Sequence, residues 1–147
     1  MKFYYLALLP AKDNKEFPYS IHGLWSQESV DKWHYCPKGG HKFEIERLRV
    51  LLPELHAHWH SSRGTDENFW KHEWEKHGSC TGLKEFEYFQ KTLDCFEKVK
   101  ANGKEWVHQW ISFRIPFGLD FQILPNFNQF VGGTKDTDTC PRKNENM

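Results

Sequence analysis

Phe69-Trp70-Lys71-His72-Glu73-Trp74-Glu75-Lys76-His77-Gly78-Ser79-Cys80 is the stretch from which the rest of the chain is read. It packs two histidines, two lysines and two glutamates between aromatic rings. Read as an α-helix, it places His72, Glu73, Lys76 and His77 within an arc of roughly 140°. One face then carries two imidazoles, an ammonium and a carboxylate. Thr65 or Asp66 is the expected N-cap, and Gly78 the stop. Most charge runs are solvated faces, but Trp70, Trp74 and Phe69 require this one to be partly buried, and buried charges need a role. A zinc-protease helix is excluded, because His-Glu-x-x-His needs its second imidazole where this chain has Lys76.

Outward from this stretch, 147 residues suffice for one domain with a real core, here read as 1–147 with a loose polar tail over 132–147. Hydrophobic residues at 38 % and charged residues at 27 % describe a globular chain. The 7 Trp, 12 Phe and 5 Tyr are read mainly as an aromatic core. A formal net charge of zero argues against bulk electrostatic capture of nucleic acid. The 9 His, however, make the chain cationic toward pH 5, so a polyanion should bind better in acid. Cys36, Cys80, Cys95 and Cys140 form no Cys-x-x-Cys pair. Their even number and wide spacing suit two disulfides in an oxidising compartment, with the connectivity open. Residues 3–9 are too short an apolar run for a clear signal peptide and are read as a buried strand. No stretch is long enough to cross a membrane, and no Asn-x-Ser/Thr acceptor is present.

The order of elements suggests an α+β fold, with a central antiparallel sheet packed by several helices. A strand over 3–9 closes at Pro10. A short strand over 17–25 ends by presenting His22, with Gly23 permitting a close approach. Residues 26–42 read as irregular. Residues 43–60 read as a helix kinked at Pro53, from the spacing of Ile45, Leu48, Leu52, Leu55 and Trp59. Residues 84–100 read as another helix, ended by Asn102-Gly103. Alternation over 111–115 and 119–123, around Pro116-Phe117-Gly118, suggests a hairpin. His56, His58 and His60 could hold a metal, but no completing carboxylate or cysteine is evident, so they are read as surface histidines.

Two histidines, one on each motif, can serve as base and acid for cleavage of RNA through its own 2′-hydroxyl, with cations to stabilise the phosphorane-like charge and no metal or cofactor. His22-Gly23-Leu24-Trp25, followed by the Phe69–Cys80 stretch, resembles the two active-site signatures of the ribonuclease T2 family. The resemblance extends to the first strand, to Leu51–Leu55 and Trp59, and to Tyr88-Phe89. It implies an endoribonuclease that takes single-stranded RNA to a 2′,3′-cyclic phosphate and then to a 3′-phosphate. His22 and His77 match the acid–base pair, in either order. His72 matches the phosphate-binding histidine, and Glu73 and Lys76 the residues supporting the transition state. Trp25 matches a base-stacking position, Phe69 lies by the second base site, and Trp33 offers a further stacking face or ordinary core packing. The family pattern pairs Cys36 with Cys80, leaving Cys95 for Cys140. The resemblance also implies a monomer that is secreted or held in an endolysosomal or vacuolar lumen.

Departures from the family pattern are Ser26 for the Pro after Trp25, His60 for the Pro after Trp59, and the absence of an extra N-terminal Cys pair. Gln27 sits where members vary, leaving base preference open. None touches the proton-transfer residues. Two other readings remain: a catalytically silent RNA-binding or signalling relative, which would have lost a catalytic histidine, and a metal protein built on His56, His58 and His60.

Overall fold

A computed structural model describes residues 1–124. The 132–147 tail and Cys140 lie outside the described residues. The run at 3–9 forms β1 (Phe3–Pro10), the inner strand of a four-stranded antiparallel sheet ordered β3-β2-β1-β4. The fold is α+β, as the residue pattern suggested. β2 (Tyr19–Ser29) is longer than its sequence suggests and runs through Ser26 and Gln27, residues read above as irregular. The two-residue β3 (Lys32–Trp33) then pairs Trp33 with Gln27.

Alternation along the sheet separates two layers. Tyr4, Leu6, Leu8, Ile21 and Leu24 enter the main core. Phe3, Tyr5, Ala7 and Trp25 form a second cluster. The main core is closed by α1 (Leu52–His58) and α3 (Glu85–Asn102), whose Leu55, Tyr88, Phe89, Phe96 and Val99 are buried with Leu48 and Trp59. Burying each such side chain contributes about 1.5–3 kcal/mol.

The expected kinked helix over 43–60 is two pieces, a 3₁₀ segment (Ile45–Leu51) followed by α1. Pro53 lies in the first turn of α1, where its missing N–H costs nothing, so it starts a helix instead of bending one. The expected 111–123 hairpin does not form. Residues Ile111–Phe113 make a 3₁₀ turn, β4 (Arg114–Phe117) pairs with β1, and only an isolated bridge joins Phe117 to Ile123. The apolar edge offered by β1 captures the segment that local alternation would have folded on itself. A short α4 (Lys104–Val107) follows Gly103.

α2 (Asp66–Glu73) opens the central stretch. Thr65 is its N-cap, its hydroxyl accepting the Asn68 N–H at 3.1 Å, a contact worth about 1 kcal/mol. Asp66 accepts the Ser61 N–H at 2.6 Å and pairs with His56 at 2.7 Å. That pair supplies the carboxylate not evident from the sequence, but no group of three or more metal-ligating residues occurs among the described residues. After Glu73 the helix widens into a π-helical turn (Trp74–Gly78), closed by Ser79 N–H donating to Trp74 C=O at 2.8 Å. The uninterrupted α-helix expected from the sequence is therefore corrected at the residues that matter most. No described helix is long and apolar enough to cross a membrane.

Candidate active site

The π turn splits the four polar residues of the motif into two rows. Glu73 and His77 are 0 % exposed, whereas His72 and Lys76 are half-buried at the rim. Wide turns of this kind often mark functional sites, because the extra residue redirects side chains. Here the buried row meets the sheet and the outer row faces the clefts.

The sheet side is prepared by a bulge. Ala7 pairs with Gly23 and Leu8 with Ile21, leaving His22 as the extra residue on β2. In strict alternation His22 would share the core-facing side of Leu24. The bulge gives that role to Ile21 and leaves the His22 ring 5.2 Å from the Trp25 ring, with Nε2 3.8 Å from Glu73 Oε2. The other Glu73 oxygen accepts the Trp25 indole N–H at 3.0 Å. Gly23 makes this approach possible, since a Cβ there would stand 2.2 Å from Glu73 Oε1. Gly78 performs a similar service below His77, where a Cβ would lie 2.6 Å from the Trp74 ring.

Trp25 is the hub of the arrangement and is only 1 % exposed. The His77 ring stacks on it at 5.5 Å and 27°. The Arg114 guanidinium lies 5.0 Å from its centroid. Both imidazoles of the expected acid–base pair thus touch one indole, which is tied to the carboxylate beside them. Trp33 is also drawn in, with its ring 5.1 Å from His77 and 4.6 Å from Lys76 Nζ. Phe69 sits 5.6 Å from His22. All the site residues expected from the two motifs therefore converge, although Trp25, Trp33 and Phe69 are each buried.

The supporting bonds come largely from indoles and hydroxyls. Trp59 donates to His22 C=O at 2.9 Å and Trp70 to Trp59 C=O at 2.6 Å, which ties β2 through α1 to α2. Ser26, standing where the family pattern has Pro, donates to His34 C=O at 2.9 Å and lies 3.2 Å from His77 C=O. Tyr88 O–H donates to Leu24 C=O at 2.6 Å. Burial, and then the charge of Glu73, push that phenol well above its ordinary range, so it remains a donor.

Cys36 and Cys80 form the disulfide implied by the family pattern, and the Cys36 N–H donates to Lys76 C=O at 3.1 Å. The chain before the bridge is thereby held against the rim row. Cys95 is instead a free thiol buried in α3, so the pairing with Cys140 reached by elimination is corrected. Burial in an apolar helix interface pushes this thiol up to about 12.

Two side chains near the site were not singled out from the sequence. Arg114 read there as the polar side of a hairpin, and only the pairing of Ala7 with Arg114 on β1 and β4 puts it over Trp25. Tyr35 is 49 % exposed and lies 5.2 Å from Lys76 Nζ and 5.4 Å from Trp33. Its place next to Cys36 was the available signal. Clefts flank His72 on both sides. One, of about 260 Å³, is lined by Leu9, Ser61, Phe69 and His72, and the other, of about 600 Å³, by Pro37, His41, His72 and Lys76.

Two buried imidazoles with a carboxylate between elements, and two cationic side chains beside open clefts, define a site suited to moving protons at an anionic substrate. The model of the ribonuclease T2 family matches residues 6–110, and the chain belongs to that family. Pig (Sus scrofa) ribonuclease T2 is 34 % identical over 94 residues, covering 58 % of this chain and 44 % of that protein. Human ribonuclease T2 is 35 % identical over 93 residues, covering 58 % of this chain and 34 % of that protein. The chain thus spans less than half the length of these curated relatives. The crystal structure of human RNase T2 matches with a TM-score of 0.56 and 28 % identity, over 68 % of this chain and 58 % of that one. RNase NT, solved in complex with 5′-AMP, matches with a TM-score of 0.52 and 27 % identity, over 69 % and 61 %.

Proposed function

We propose that this domain is an endoribonuclease that cleaves single-stranded RNA without a metal, first to a 2′,3′-cyclic phosphate and then to a 3′-phosphate. The observation that carries this is the meeting of His22 and His77 on Trp25, with Glu73 bonded to that indole and 3.8 Å from His22. One imidazole takes the 2′-hydroxyl proton as the oxygen attacks phosphorus. The other protonates the departing 5′-oxygen. The roles exchange when water opens the cyclic ester. His72 and Lys76, at the rim, stabilise the charge that builds on the phosphoryl oxygens. Glu73 orients its neighbours and favours their charged forms. Bases would be held by the aromatic side chains around the clefts, at about 1–3 kcal/mol each. The 5′-AMP bound by the relative RNase NT agrees with a nucleotide-sized site. The same reading makes the protein a monomer, secreted or in an endolysosomal or vacuolar lumen, where a disulfide such as Cys36–Cys80 persists.

Cleavage of single-stranded RNA between about pH 4 and 8 in excess EDTA tests this, using the wild type and His77→Ala. We expect chelator-resistant activity, cyclic-phosphate ends, and a loss of about 10²–10⁴-fold in the variant. A folded wild-type domain that leaves RNA intact would refute the proposal.

A further inference from the structure

We infer that a cleft outside the active site binds a further nucleotide of the RNA strand, beyond those held beside His72. This inference rests on the ribonuclease reading. The cleft holds about 480 Å³ between the β1–β2 connection and the facing ends of α1 and α3, a size ordinary for a ligand site. Lys15, His58, His60 and Lys100 line it, over a floor that includes Phe17 and Phe96. The His58 ring lies 5.3 Å from the Phe96 ring. Ammonium groups and imidazoles beside aromatic faces are the chemistry that takes a phosphodiester with its base. Asp13 and Glu16 also line the cleft and oppose the two lysines, so binding there should be weak and selective for a strand already anchored elsewhere.

Position supplies the second argument. The active cleft beside His72 has Leu9 and Ser61 in its walls, and the outer cleft has Ala11 and His60. The two therefore adjoin along both walls, at the end of β1 and at the end of α1. A strand leaving Phe69 and His72 over Ser61 meets His60 next. His60 stands where the family pattern carries Pro, and with His58 it belongs to the histidine cluster for which neither the active site nor a metal accounts.

The experiment compares a dinucleotide, which reaches only the active cleft, with a single-stranded oligonucleotide long enough to span both. The variants are Lys15→Ala with Lys100→Ala, His58→Ala with His60→Ala, and the opposite change, Asp13→Asn with Glu16→Gln. Removing the basic groups should raise KM for the oligonucleotide about 5- to 10-fold and leave the dinucleotide unchanged. The lysine variant should also flatten the salt dependence of KM by about 0.7 in log–log slope for each phosphate released. Neutralising the carboxylates should lower KM for the oligonucleotide alone. Equal effects on both substrates, or none on either, would overturn the inference. If the wild type cleaves neither substrate, the ribonuclease reading fails separately. Fluorescence anisotropy with the oligonucleotide then decides the inference: weaker binding in the basic-group variants upholds it, and unchanged binding overturns it.

Discussion

Replacing Gly23 with Ala tests whether the close approach of sheet and helix is what assembles the site. A methyl group there would lie 2.2 Å from Glu73 Oε1 and 2.8 Å from Trp25 Nε1, whereas ordinary contact begins near 3.4 Å. The carboxylate must retreat by about 1.2 Å, the difference between those distances. It is fully buried and its neighbours are a β-strand and a packed helix, so the retreat costs about 1–3 kcal/mol of overpacking. The strained Trp25–Glu73 hydrogen bond, involving a charged acceptor, loses part of a further 1.5–3 kcal/mol or so. The expected sum is about 2–4 kcal/mol in urea unfolding, well above the few tenths that the same change costs at an open surface. Activity should fall about 10²-fold at full folding, since an ångström of misplacement at a catalytic group has that effect. Combining Gly23→Ala with Glu73→Asp, which shortens the side chain by one methylene, should recover part of the stability. The assays are urea melts and dinucleotide cleavage under conditions where each variant is folded. Near-wild-type stability and activity in Gly23→Ala would refute the reasoning, because the pairing of β2 with Glu73 would then not depend on the missing side chain.

Opening the Cys36–Cys80 bridge, by Cys36→Ser with Cys80→Ser, should cost about 4 kcal/mol on the chain-entropy account for a separation of 44 residues, read from the shift in urea midpoint. In the disulfide-intact native protein the Cys95 thiol, held up to about 12 and buried, should stay silent to a thiol reagent and react only on unfolding. Glu85 is buried at the start of α3, accepting the Glu44 N–H at 3.0 Å, and desolvation raises its carboxyl above the usual range. Its folded state therefore prefers the protonated form. That contribution is complete below about pH 4.3, the unfolded value, and is lost as pH rises through the folded value. Glu85→Gln should thus gain stability over wild type as pH rises from about 4 toward neutrality, and a gain that shrinks with rising pH in paired urea melts would contradict the assignment.

Much of the architecture was legible in local patterns because those patterns report burial directly. The apolar run at 3–9 could only be an inner strand, and the spacing of Phe89, Leu93, Phe96 and Val99 could only be one face of a helix. The identities of the polar site residues were also legible. Paired histidines with a lysine and glutamates among tryptophans have few other uses, and the two motifs carry the family's pattern along most of residues 6–110. What the residue pattern left open was direction. The bulge that lifts His22 out of the core, and the π turn that divides Glu73 and His77 from His72 and Lys76, are one-residue adjustments of hydrogen bonding. They arise where sheet and helix must satisfy each other's packing, and no local propensity encodes them. Arg114 shows the same limit. Alternation assigned it to the polar side of a hairpin, but the exposed edge of β1 offered a longer apolar partner, and that choice placed a guanidinium over Trp25. The sequence by itself determined the fold class and the chemical groups of the site. Tertiary structure decided which of those groups are buried together and which face the substrate clefts, because burial of a charge depends on what packs around it and not on its neighbours along the chain.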